Sequence, residues 1–359
     1  MLRVTILLTA LTFGLINNIL NGQLIDNSKC NAFTDEPFFN SQIVYLNHLK
    51  SLHGVVSTKK ELSAIRNTGK VLHFEFNKQG ELKKQYSTFY RQKKKDTTYI
   101  FYEYENKGEL ATKRTNDING FYSYNYTYND AQLLIKKTYC RDENAIKSRT
   151  NFILKKQYVI INEEYNYKKE GSSLIKNILN NNKLPYQRVE YKYDALGYLV
   201  SETKKLLINN KKSIVKYTYN EHGLLDSKKI IKDLKKDTFR KLNYKYDSLG
   251  NLIELNEYNN DKHITHKEIL YDEKTYLLKA LIIQDVETNF IKIIKFKASF
   301  YWFSMKKLIA LLLLFVGLIS CDARHKDATA LCDCYTQLHR AVALKKINIL
   351  GDSCAHLHV

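Results

Sequence analysis

The sequence predicts a mainly β chain: an antiparallel meander of about eight hairpin repeats of ~26 residues, curled or stacked, with a short helical C-terminal tail. Three observations carry this. Tyrosine occurs 27 times and proline twice, and aromatic and β-branched side chains pack well on a pleated surface. A pair of aromatic residues spaced i, i+2 recurs along the chain. A glycine follows most of these pairs at a fixed distance.

Residues 1–22 read as a secretory signal peptide. Met1-Leu2-Arg3 is a short basic start, Val4 to Ile16 is mostly apolar, and Gly22 supplies a small residue before a cut at Gln23. Residues 23–70 form a lead segment, partly helical, with Thr58-x-x-Glu61 as a candidate capping box.

The repeats occupy 71–297. The units "FEFNKQGEL", "YEYENKGEL", "YTYNDAQLL", "YNYKKEGSS", "YKYDALGYL", "YTYNEHGLL", "YKYDSLGNL" and "ILYDEKTYL" align on Gly80, Gly108, Gln132, Gly171, Gly197, Gly223, Gly250 and Thr275. The spacings are 28, 24, 39, 26, 26, 27 and 25, so the 39-residue step holds an insertion or a decayed copy. Paired aromatics such as Tyr191/Tyr193, Tyr217/Tyr219 and Tyr244/Tyr246 lie on one face of a strand, because side chains alternate with period two. Asp194 or Asp247 then bonds the turn backbone, and the glycine accepts positive φ. A second turn, such as Asn180–Lys183 or Asn259–Lys262, completes each period. Eight copies give about sixteen strands, more than an open sheet keeps flat.

Ala298–Ser304 reads as a junction. Behind it, Met305–Cys321 looks like a second protein start: a Lys306-Lys307 base, an apolar run, and Leu318-Ile319-Ser320-Cys321. The run Leu308–Cys321 is 14 residues, ~21 Å as a helix, against ~30 Å of hydrocarbon. Two joined reading frames account for both methionines. Residues 322–359 form a helical tail, in which Cys354 is expected to pair with Cys332 or Cys334 in an oxidising compartment.

No catalytic motif stands out, and no cofactor or metal site is expected. Asp194, Asp247 and Asp272 sit at repeating turn positions and read as structural. His263 and His266, taken as strand residues, face opposite sides and share no metal. The net charge of +20 is spread through the chain and reads chiefly as a solvated face, with a polyanion as the sharper alternative.

"YKYDALGYL" and "YKYDSLGNL" resemble the tyrosine-aspartate (YD) repeats of bacterial RHS surface proteins. Residues 305–321 resemble a lipoprotein signal, which implies a lipid on Cys321. Large members of the RHS family look like β-shells enclosing a toxin. This chain carries too few copies for that and no self-cleavage motif. The resemblance implies export to the periplasm, outer-membrane surface or medium, and a non-enzymatic binding scaffold. Envelope polysaccharide or another surface protein is the expected partner, without specific nucleic acid. Membrane contact is expected only through the signal peptide or a lipid on Cys321. A shell or fragment of an RHS-type toxin system and, more remotely, a polysaccharide-active enzyme are the alternatives.

Overall fold

A computed structural model describes residues 23–234 and 238–301. A short helix, α1 (Ser41–Leu46), is capped by Asn40, whose carboxamide oxygen accepts from the amides of Gln42 and Ile43. Eighteen strands follow among the described residues. The first nine are β1 (Leu49–Lys59), β2 (Arg66–Phe76), β3 (Leu82–Arg91), β4 (Lys94–Tyr104), β5 (Leu110–Asp117), β6 (Gly120–Tyr128), β7 (Leu134–Asn144), β8 (Leu154–Glu170) and β9 (Ser173–Leu179). The rest are β10 (Pro185–Tyr193), β11 (Leu199–Leu206), β12 (Lys212–Tyr219), β13 (Leu225–Asp233), β14 (Thr238–Tyr246), β15 (Leu252–Asn259), β16 (Lys262–Tyr271), β17 (Leu278–Asp285) and β18 (Phe290–Phe300).

Each strand pairs antiparallel with the next, and β18 returns to pair with β1 from Leu49↔Phe300 to Lys59↔Ile291. The meander is therefore a closed barrel rather than a curled or stacked sheet. Closure removes both free edges, which an open meander would leave unpaired. Of the two strands that close it, β1 lies before the 71–297 repeat region and β18 runs across its end. Thr58 lies inside β1, so the capping-box reading fails. The expected junction is also partly structural. Ala298 packs against the core, and the Tyr301 phenol donates to the Phe76 carbonyl.

Five repeat glycines, Gly80, Gly108, Gly197, Gly223 and Gly250, sit at φ between 73° and 87°. At Gly197 the turn is closed from before and behind: Asp194 Oδ1 accepts from the amides of Leu196 and Tyr198 at 3.0 and 2.8 Å. Asp247 does the same for Leu249 and Asn251. Two units depart from the expected alignment. Gly171 sits in a two-residue hairpin between Glu170 and Ser173, while the repeat-type turn appears one strand later, at Asn180–Leu184 with Lys183 at φ 59°. In the last unit the turn is one residue longer, and Tyr276, not Thr275, takes positive φ. The 39-residue step is an insertion: the 17-residue β8 and the loop before it.

One interaction repeats around the wall. The phenols of Tyr104, Tyr128, Tyr167, Tyr219, Tyr246 and Tyr271 donate to the main-chain carbonyls of Leu82, Leu110, Leu134, Leu199, Leu225 and Leu252, at 2.8–3.1 Å. The second aromatic of one unit thus reaches back to the leucine that follows the turn of an earlier hairpin. The ladder is bulged at these leucines, as where Tyr246 faces Leu252 but Lys245 faces Glu254. A bulge locally interrupts pairing, and the phenol supplies a partner there. Tyr246→Phe is expected to lower stability by about 1 kcal/mol, since it leaves the carbonyl of buried Leu225 short of a donor. Urea unfolding reads this directly, and an unchanged midpoint would show that the bond does not contribute.

Candidate functional site

Directly paired residues lie on the same side of a sheet, and sides alternate along each strand. The repeat aromatics all point inward. Tyr217, Tyr219, Tyr244 and Tyr246 pack against the main core, and Tyr191 packs against a smaller cluster of Tyr165, Ile178 and Val189. Tyr193 faces the same way, paired with Leu199.

What fills this end of the barrel is the lead segment. Leu24, Ile25, Phe38 and Val44 are almost fully buried and join the wall residues Phe74, Phe76, Leu252 and Ile269 in one core. Phe39 meets Phe74 and Phe76 edge-on, with centroids 5.0 Å away in both cases. Polar ties reach both sides of the wall. Tyr102 donates to the Asp35 carbonyl at 2.8 Å, Lys113 pairs with Glu36, and Asn27 Nδ2 donates to the Tyr246 phenol at 3.2 Å. The segment is a plug at the end carrying the repeat turns. It leaves a cavity of about 660 Å³ against Tyr104, Tyr126 and Tyr128, and one of about 310 Å³ against Tyr198 and Tyr219.

Burial pushes the Tyr128 and Tyr246 phenols up to about 12, above the ordinary value near 10. The folded state therefore holds these protons more tightly than the unfolded chain. Their contribution to stability is fully present below pH ~10 and is lost as pH rises toward 12. Tyrosinate absorbance should lag and then rise together with loss of β-sheet circular dichroism. Titration near pH 10 with the sheet intact would contradict it.

Beyond the aromatic layer the inward positions turn basic. Lys228 lies opposite Tyr217, Lys176 opposite Tyr167, Lys267 opposite Leu255, and Lys292 opposite Ile283. Lys70 faces Val56, and Lys204 faces Val189. Inward Lys204 and Arg240 are 46% and 50% exposed, so water reaches this part of the lumen. Closed barrels of this strand number enclose an aqueous space. The inward acids are engaged. Glu163 accepts from Tyr165 and Tyr186, Glu202 from Lys204 and Tyr217, and Glu257 pairs with Arg240.

The outer face is also charged. Lys216, Lys229 and Lys241 are direct cross-strand neighbours at mid-wall on β12, β13 and β14. Between β5 and β7, Arg114 Nε donates to the fully buried Asp142 at 2.7 Å, and Gln157 donates to the other Asp142 oxygen at 2.8 Å. The loop at 145–153 folds over them, with Phe152 on the Arg114 guanidinium at 3.9 Å. The sequence reading singled out neither Arg114 nor Asp142. Both look like ordinary strand polars until the inserted loop covers them.

His263 and His266 correct the expectation of opposite faces. A bulge in β16 turns both outward, and both rings meet Asn256 Oδ1, at 3.0 and 2.7 Å. No group of three metal-ligating side chains occurs among the described residues. Cys30 and Cys140 are free thiols. The signal segment, Cys321, Cys332, Cys334 and Cys354 lie outside the described residues.

No family model matches the chain, and no curated protein does. Solved structures give distant likenesses only. A porin-like protein from Bacteroides uniformis aligns over 70% of this chain and 97% of its own, at 8% identity and TM-score 0.33. A porin-like protein from Bacteroides vulgatus aligns over 60% and 97%, at 9% identity and TM-score 0.28. The TcdB2-TccC3 structure aligns over 62% of this chain and 12% of its own, at 16% identity and TM-score 0.28.

Proposed function

We propose that this chain is an exported, non-enzymatic binding scaffold of the cell envelope, built from tyrosine-aspartate hairpins like those of RHS surface proteins. Its barrel wall stands in water rather than in lipid. The observation that carries this reading is the outward row Lys216, Lys229 and Lys241. A lysine at the lipid face of a barrel costs about 2–4 kcal/mol at the bilayer midplane, and three adjacent ones would also repel one another.

The plug supports a binding role over conduction, because it occupies one mouth and is held by a shared core. The repeated carboxylates support a structural role for themselves, since Asp194 and Asp247 spend their oxygens on turn amides. Export rests on the segment before Gln23. Fractionation of the native host tests the reading. The expected product is in the envelope or medium, and carbonate or salt releases its barrel without detergent. A product extracted only by detergent after trimming of residues 302–359 would overturn the water-facing wall, and a cytoplasmic product would overturn export.

A further inference from the structure

We propose that the lumen beyond the plug binds a linear acidic polysaccharide, with its anionic groups against inward lysines and its sugar faces against the adjoining tyrosines. The proposal deepens the scaffold reading by naming the ligand class.

The first observation is a set of inward cations without acidic partners. Among the inward cations, Lys204 and Arg240 pair with Glu202 and Glu257. Inward Lys70, Lys176, Lys228, Lys267 and Lys292 form no ion pair among the described residues, although they face a shared enclosure from β2, β9, β13, β16 and β18. Cations disposed around one enclosure concentrate an anion more than the same charges spread over a convex surface. Burial holds Lys176, Lys267 and Lys292 below the ordinary lysine range, and for Lys292 the neighbouring Lys70 adds to this. An arriving anion would relieve that crowding.

The second observation is aromatic interleaving. Lys176 lies 4.9 Å from the Tyr165 ring and 5.5 Å from that of Tyr191, Lys137 lies 4.4 Å from Tyr124, and Lys228 lies 5.8 Å from Tyr217. A ring face beside a cation suits a flat, weakly apolar sugar face next to a carboxylate or sulfate. Single-stranded nucleic acid also uses rings and cations. The same enclosure also holds the carboxylates of Glu163, Glu202 and Glu257. A carboxylate accepts from hydroxyl donors, which sugars carry in abundance and the backbone of single-stranded DNA lacks.

The test uses the full chain and three probes: polygalacturonate, neutral dextran and a twenty-nucleotide oligo-dT. Polygalacturonate should bind, more weakly as salt rises, and dextran should bind far less. The triple variant Lys176→Met, Lys228→Met, Lys267→Met should weaken polygalacturonate binding by about tenfold or more. The outer triple Lys216→Met, Lys229→Met, Lys241→Met, of equal charge change, should leave it nearly unchanged. Circular dichroism on both triples confirms that each keeps its sheet. Equal losses in the two triples would mean non-specific charge and overturn the proposal. Tighter binding of oligo-dT would overturn it in favour of nucleic acid, and equal binding of dextran would remove the role of the lysines. If none of the probes binds while fractionation still finds the chain in the envelope, the ligand assignment fails and the scaffold reading stands.

Discussion

Gly80→Ala should destabilise the barrel by about 3 kcal/mol or more, and it should do so by dislodging the plug. A Cβ built on Gly80 would stand 2.0 Å from the Ser41 carbonyl oxygen and 2.7 Å from the Tyr45 amide nitrogen. Both are backbone atoms of α1, so no side-chain rotation relieves the overlap. The turn also holds φ at +84°, where a Cβ is strained by about 1–2 kcal/mol on its own. Gly197 provides the control. It sits at φ +87° with nothing within 4 Å of where an added methyl group would stand, so Gly197→Ala should show the backbone cost alone. The difference between the two midpoints in urea isolates the contact with α1. Limited proteolysis within 23–47 should rise sharply in Gly80→Ala and not in Gly197→Ala. Equal behaviour would mean that the lead segment does not seat against this turn.

Asp142→Ala should cost about 3–5 kcal/mol, the range for stranding one charge of a buried pair. The Asp142 side chain is fully buried and that of Arg114 is 4% exposed. Removing the carboxylate leaves the Arg114 guanidinium with Glu103, which is largely exposed, and deprives Gln157 of an acceptor. The loop at 145–153 would lose its seat, because Phe152 stacks on that guanidinium. The double variant Arg114→Met, Asp142→Leu should recover much of the loss, since no unpaired charge then remains. A double variant as unstable as the single one would show that the pair contributes through something other than charge compensation.

The parts of this fold legible in the sequence are the local ones. A tyrosine pair, an aspartate or asparagine and a glycine define a turn within nine residues, and the hydrogen bonds at Asp194 and Asp247 use those groups. Closure was not legible. β1 pairs with β18 some 240 residues away, and nothing local marks that pairing. β1 also buries Leu49, Leu52, Gly54 and Val56, so its apolar side chains fall at a three-then-four spacing that imitates a helix. The three-residue step comes from a register shift between Leu49 and Ser51, and the four-residue step from the side-chain-free Gly54. A bulge likewise reversed the reading of His263 and His266, because one extra residue moves a side chain to the other face. The set of inward lysines needed the register as well. Lys228 and Lys229 are adjacent in sequence, yet one faces the lumen beside Tyr217 and the other stands in the outer row.

Closure is the claim on which the lumen, the plug and the two faces all depend, and a cross-link tests it most directly. Ser51 on β1 and Ser299 on β18 are paired, with their hydroxyls 2.6 Å apart. Antiparallel partners have Cα atoms about 4.5–5.5 Å apart, within the span of a disulfide. The full chain carrying Ser51→Cys and Ser299→Cys should form that disulfide under mild oxidation, detected as one joined peptide by mass spectrometry. Failure of the two thiols to join in the folded protein, with both still reactive toward alkylation, would mean that β1 and β18 are not neighbours and that the barrel is open.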